Sequence, residues 1–260
     1  MEEFELSNKV VWRKNVNQDT TESFYPSFIK DIHKKSSYFE ENFRVEFVRA
    51  DTEKMKTLFL PLYASEIMGR EDFALDRNTI ENELLKKIDG NDTYTLMCVY
   101  HGNDLVSGML FSLKENMLHL GYRATKKDFD KKTKHGATIS YWGEKIIFEY
   151  GKKIGANTFS YGKDAHPFHG KNIGRPLYKL KTGMKPRVPL STSNFSFMKI
   201  NDYHLLEKKL PVFFFDNPNK DGFYKECHLY SPKETLNDSY LKEFESVTSW
   251  AGLQFHFTAY

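Results

Sequence analysis

TYTLMCVYHGNDLVSGMLFSLKENMLHLGYR, residues 93–123, is three apolar runs cut by two turns. Residues 93–100 are apolar on both faces, the pattern of a strand covered on both sides. His101-Gly102-Asn103-Asp104 and Lys114-Glu115-Asn116 carry turn chemistry. The runs 93–100, 105–113 and 117–123 therefore read as a β-meander. Gly108, inside the second run, marks a bulge or a close backbone approach.

Working outward, Val45, Phe47 and Val48 read as a strand, and Asp51 reads as the N-cap of a helix. That helix repeats Met55, Leu58, Phe59, Leu62 and Tyr63 at helical spacing, and Pro61 is expected to kink or end it. Ile80, Leu84, Leu85 and Ile88 share a face of a second helix, closed by Gly90. Val10, Val11 and Trp12 suggest a short strand, and residues 28–39 a weak helix or arm. Beyond the meander lies a basic loop, residues 126–135, and then a helix with Ile139, Trp142, Gly143, Ile146, Ile147 and Tyr150 as its apolar stripe. Ser140, Glu144, Lys145 and Glu149 are assigned to the opposite face, with Lys145 and Glu149 as an i,i+4 pair and Gly155 as the stop. Phe159 and Tyr161 alternate on a strand, and residues 162–176 read as a loop. Strands over 195–200, 212–215 and 223–230 and a helix over 232–250 complete the chain. The order predicts an α+β or α/β three-layer fold with a mixed, mostly antiparallel sheet flanked by helices. The expected organisation is an N-terminal arm or strand over 1–43, a core over 44–190, and further strands and a helix over 191–260 that complete the same domain or begin a partial second one.

The 260 residues carry 38 Lys+Arg against 35 Asp+Glu, a net charge of +3 that argues against a dedicated DNA binder. A 40% hydrophobic and 28% charged composition rules out wholesale disorder. No apolar run reaches the length of a membrane span. The acidic start, Met1-Glu2-Glu3-Phe4-Glu5, lacks the order of a signal peptide, so a cytoplasmic location is expected. Cys98 and Cys227 lack metal spacing and read as free thiols.

Two segments carry a resemblance. Residues 150–162, YGKKIGANTFSYG, resemble the helix end and strand of the GNAT-like acyltransferases in the branch holding Fem-type aminoacyltransferases and cellulose-biosynthesis acetyltransferases. Residues 177–186, LYKLKTGMKP, resemble that branch's segment of an aliphatic residue, Phe-Lys, two or three residues and Gly. The order of elements over 44–186 looks like the GNAT fold. The resemblance implies an N-acyltransferase that moves an acyl group from an activated donor to a primary amine by direct attack. Implied donors are acyl-CoA or an acyl-carrier phosphopantetheine. Implied partners are a small-molecule or peptide amine, with an acyl carrier protein or tRNA as donor carrier. A Fem-type peptide-bond former using aminoacyl-tRNA and a non-catalytic binding module of the same fold are the alternatives.

The chemistry sets three demands: a held donor, a base for the amine and a partner for the oxyanion. For the donor, the helix opening at Thr138 offers amide hydrogens and a positive dipole end. Lys131, Lys132, Lys134, His135, Gly136 and Ala137 precede it, where GNAT enzymes carry an Arg/Gln-x-x-Gly-x-Gly/Ala loop. This chain has only Lys134-His135-Gly136-Ala137 there, which weakens the pyrophosphate expectation and favours a donor other than coenzyme A. For the base, His119 on the third meander strand and His166 are candidates, with Asp164 placed to orient a histidine. A core or surface-loop histidine is the plain alternative at each. For the oxyanion, Lys179 matches the family's Phe-Lys position and Tyr178 a position whose tyrosine protonates the leaving thiolate. His166 and His169 have His-x-x-His spacing without a third ligand, so no metal site is expected.

Overall fold

The meander forms as read: β4 (Tyr94–His101), β5 (Asp104–Lys114) and β6 (Met117–Thr125) pair antiparallel, and β3 (Arg44–Arg49) adds to β4. This computed structural model describes residues 5–15, 23–68, 77–91, 93–129, 138–189, 197–199 and 209–260. The chain divides into two compact units, one built on Pro26–Phe159 and the other joining the N-terminal strands to Ser160–Tyr260.

In the first unit the sheet is covered on both faces. Asp51 caps a helix by accepting the Lys54 amide, as its position predicts. That helix does not stop at Pro61. It runs through α2 (Thr52–Lys54) and α3 (Leu60–Tyr63), each followed by a wider π turn, Met55–Phe59 and Ala64–Met68. The widened turn gives the Leu60 amide to Met55 O, so the missing N–H of Pro61 is absorbed without a break. Met55, Phe59 and Leu62 pack with Leu84 and Ile88 of α4 (Arg77–Ile88) on Leu96, Cys98 and Leu110. Gly108 is a close approach, since a Cβ there would lie 2.9 Å from the Phe59 ring. The bulges sit elsewhere, between Val99 and Tyr100 and opposite Leu110. On the other face Tyr150 of α5 (Ile139–Lys153) stacks on Phe47 at 3.8 Å, and Trp142 stacks on Phe39 of α1 (Pro26–Asn42).

Ser140 and Glu144, assigned by pattern to the wet face of α5, are buried. Glu144 survives there because Arg123 of β6 reaches it at 2.5 Å. The hydroxyls of Ser107, Thr125 and Ser140 form a buried chain. The exposed pair Lys145–Glu149 forms at 3.5 Å. Gly155 ends α5 with φ +81°, while Ala156 N bonds to Gly151 O and Gly155 N to Lys152 O, the two bonds of a Schellman end.

The chain leaves this unit within β7 (Thr158–Ala165). In the second unit β7, β2 (Lys9–Asn15) and β9 (Lys185–Arg187) lie side by side. A further sheet runs β13 (Gln254–Ala259), β12 (Tyr224–Ser231), β11 (Val212–Pro218), β8 (Phe168–His169). β1 (Glu5–Ser7) pairs with β10 (Phe197–Lys199). α6 (Gly174–Lys181) and α7 (Asp238–Trp250) complete it. Phe213, Phe214 and Phe215 are fully buried among aromatic neighbours such as Phe244 and Tyr230.

Val11 pairs with Arg187 and Trp12 with Pro186, so the N-terminal strand joins one more than 170 residues later. Long-range pairing of this kind leaves no mark on local periodicity. Among the described residues, no helix is long and apolar enough to cross a membrane.

Candidate functional site around Lys179 and Asp164

The segment that resembles the family motif has a physical reading. Lys179 stands one turn before the end of α6, and Gly183 follows at φ +77°. Met184 N bonds to Lys179 O at 3.1 Å and Gly183 N to Leu180 O at 2.8 Å. This is again a Schellman end, so the spacing from Lys179 to Gly183 is the spacing that such a helix end requires. Thr182 adds a side-chain bond from Oγ1 to Lys179 O. The next carbonyl, Thr182 O, accepts from the Lys14 ammonium at 2.9 Å. Lys14 is buried and lies over the Phe24 ring. A Cβ on Gly183 would come within 2.7 Å of the Ser23 backbone oxygen as well as of Lys14 Nζ, and the positive φ adds strain, so a larger residue is disfavoured there. The Lys179 carbonyl thereby accepts two bonds, from Met184 N and Thr182 Oγ1, and the helix end that carries it is held by two more.

Its side chain is fixed as well. Lys179 Nζ donates to Asp164 Oδ2 at 2.5 Å, and Trp12 Nε1 donates to the same oxygen at 2.8 Å. Asp164 Oδ1 faces the exposed Arg175 at 3.8 Å. The side chains of Lys179 and Asp164 are only 11% and 9% exposed. The ammonium lies over the Trp12 ring at 5.3 Å and the Tyr161 ring at 5.2 Å. Trp12 meets Phe215 edge-on at 5.5 Å, which locks the indole and so the direction of its N–H. A buried ammonium ringed by aromatic faces and pinned by one carboxylate is a positive charge of fixed position in a low-dielectric setting.

Asp164 therefore orients Lys179 and Trp12, not a histidine. His166 is fully buried with both ring nitrogens engaged by backbone. Nε2 accepts from Phe215 N at 2.9 Å, so Nδ1 carries the proton and donates to Ser7 O at 2.6 Å. Burial pushes its pKa down to about 4. It is a neutral structural imidazole, which corrects the expectation that it serves as base. His119 lies on β6 in the other unit, half-buried and opposite Ser112. Tyr178 is half-buried on α6, beside Lys179 in sequence.

Of the donor-loop candidates, Lys131, Lys132, Lys134, His135, Gly136 and Ala137 lie outside the described residues. Thr138 is described and is the N-cap of α5, its Oγ1 accepting from Tyr141 N at 3.3 Å. The chain itself thus takes one of the amides assigned to a donor phosphate, and Thr138, Ile139 and Ser140 are all buried. That narrows the expected phosphate cradle to the amides ahead of Tyr141. Cys98 and Cys227 are buried free thiols, and burial pushes Cys227 up to about 12, which suits packing and not nucleophilic attack. Sequence reasoning missed Trp12 and Lys14 as parts of this site. Their only signal was an apolar run carrying a lysine two residues after a tryptophan.

No family model matches the sequence, and no curated protein matches it. Among solved structures, FemX superposes with a TM-score of 0.52 at 14% identity, over 68% of this chain and 59% of its own. The fold is GNAT-like. L-PGS from Bacillus licheniformis has a TM-score of 0.41 at 14% identity over 69% of this chain and 52% of its own. The PaiA N-acetyltransferase from Thermoplasma acidophilum, in complex with coenzyme A, has a TM-score of 0.37 at 14% identity over 60% of this chain and 98% of its own. At 14% identity the likeness to FemX is one of fold. The chain spans 59% of the length of FemX.

Proposed function

We propose that the protein is an acyltransferase that joins an activated acyl group to a primary amine by direct attack. Lys179 donates a charge-assisted hydrogen bond to the carbonyl oxygen as it becomes an oxyanion. The observation that carries this reading is the Lys179 ammonium, buried and held at 2.5 Å from Asp164 in a GNAT-like fold. A donor fixed before the reaction costs no reorganisation when charge develops, and one such donor contributes about 10²–10³ in rate. The amine attacks the carbonyl carbon, the tetrahedral oxyanion faces Lys179, and collapse expels the thiolate or alkoxide of the donor. Tyr178, beside Lys179 on the same helix, is the candidate that returns a proton to that leaving group. The resemblance alone assigns His119 as base and Lys131, Lys132, Lys134, His135, Gly136, Ala137 and Thr138 as the loop for the donor's phosphates.

The resemblance of residues 150–162 and 177–186 to the Fem-type branch supports a second reading of the donor, an aminoacyl ester carried by tRNA in place of an acyl thioester. Incubation with acyl-CoAs of graded length, an acylated carrier protein and aminoacyl-tRNA, each with a panel of amines, separates the two by mass spectrometry of the products. An amide formed from a thioester supports the first reading, and one formed only from aminoacyl-tRNA supports the second. Absence of amide product from every donor, in protein that shows no thermal shift with any of them, would leave a binding module of the same fold.

A further inference from the structure

A separate cluster lies on the sheet β13–β12–β11. β12 and β13 run parallel with His228 directly opposite His256, and Glu226 stands two residues from His228, on the same face of β12. Their ligand atoms converge. Glu226 Oε2 is 3.2 Å from His256 Nε2 and 3.9 Å from His228 Nε2, and the three atoms all lie within 4.8 Å of one another. The geometry points to a site for a divalent transition-metal cation, Zn²⁺ foremost, held by Glu226, His228 and His256 with water completing the shell.

Four features support it. First, the donor set is two imidazoles and one carboxylate, which suits Zn²⁺ and its neighbours and not Mg²⁺ or Ca²⁺. Second, tetrahedral coordination at about 2.0–2.1 Å separates ligand atoms by roughly 3.3 Å. The Glu226–His256 pair, at 3.2 Å, already has that spacing, and His228, at 3.9 Å, needs to close on Glu226 by roughly 0.6 Å. Third, the ligands are held in orientation. Asn217 Nδ2 donates to Glu226 Oε1 at 2.6 Å, which leaves Oε2 to face the histidines. Phe214, His228 and His256 stack across three adjacent strands, with ring separations of 4.9 and 4.6 Å and planes within 13°. Fourth, His256 Nε2 is shielded from solvent yet makes no hydrogen bond, while the rest of its ring is 37% exposed and gives an ion a way in. A lone His⁺–Glu ion pair would need only one imidazole at the carboxylate, whereas here both Nε2 atoms lie within 3.9 Å of the same Glu226 oxygen. The cation would tie β13, the edge strand, to β12.

Titration of chelator-treated protein with Zn²⁺ by calorimetry, and with Co²⁺ by visible absorption, tests the site. The expected result is one ion per chain with the visible bands of four-coordinate Co²⁺. His256→Gln and Glu226→Gln are each expected to weaken Zn²⁺ binding by 100-fold or more, and Asn217→Ala by about 10-fold or more. His33→Gln, on the exposed face of α1, is the control and leaves affinity unchanged. His256 sits on an edge strand, so its variant is expected to keep the wild-type circular dichroism. If it does not, Glu226→Gln carries the test. Failure to bind one equivalent, or equal affinity in Glu226→Gln and wild type, overturns the proposal.

Discussion

His166 and Lys179 are both polar, both buried and both near Asp164 in sequence, yet their environments give them opposite uses. His166 loses all solvent and gains two backbone partners that fit only the neutral ring. Its pKa of about 4, against about 6.5 for an exposed histidine, fixes the sign of a pH effect. Between pH 6.5 and 4 the unfolded chain takes up a proton that the folded chain refuses. The contribution of His166 is therefore complete above pH 6.5 and is lost as pH falls through that window, by about 3 kcal/mol. Urea unfolding at stepped pH is expected to show this decline in the wild type and a flatter profile in His166→Gln. An equally steep profile in the variant would remove His166 as the cause. Lys179 instead keeps its charge partner, and the chain spends Trp12, Asp164 and a whole helix end on holding it.

At the scale of elements, helix ends and close approaches explain what periodicity could and could not reveal. Asp51, Thr138, Gly155 and the Lys145–Glu149 pair act as their residue types require, because capping and i,i+4 contacts are local. Ser140 and Glu144 escaped the pattern because their burial depends on Thr125 and Arg123, which arrive from another strand. Strand β13 was not anticipated at all. Phe255, Phe257 and Ala259 do alternate with Gln254, His256 and Thr258, but the run is short and lies at the sheet edge with most of its side chains exposed. Gly151 offers a test of packing against propensity. Alanine in a helix interior is favoured over glycine by about 0.5–1 kcal/mol. A Cβ at Gly151, however, would lie 2.6 Å from Phe159 Cζ, a ring that is buried and stacked on Phe148. Overpacking of this kind costs about 1–3 kcal/mol, so the clash outweighs the propensity. Gly151→Ala is expected to lower the midpoint of thermal unfolding, and a raised midpoint would show that the Phe159 ring yields freely.

At the scale of the whole molecule, the three-layer, mostly antiparallel architecture was legible because the meander and its flanking helices are written in consecutive residues. The second unit was not legible as a unit, because β2 pairs with a strand more than 170 residues away. The site shows the same divide. Lys179 and Asp164 were singled out in sequence, but only the fold joins them, and it joins them to Trp12 instead of to a histidine. Whether that ammonium serves chemistry as well as packing decides the function of the site. Removing Lys179 alone would strand a buried carboxylate at a cost of about 3–5 kcal/mol and confuse the two. In Lys179→Met combined with Asp164→Asn no charge is stranded, and the amide oxygen still accepts from Trp12. The decisive measurement is the single-turnover rate of amide formation in this double variant, with its thermal midpoint recorded beside it. A near-native midpoint with a rate at least 10²-fold lower is the predicted result. A near-native midpoint with an undiminished rate would contradict the role assigned to Lys179.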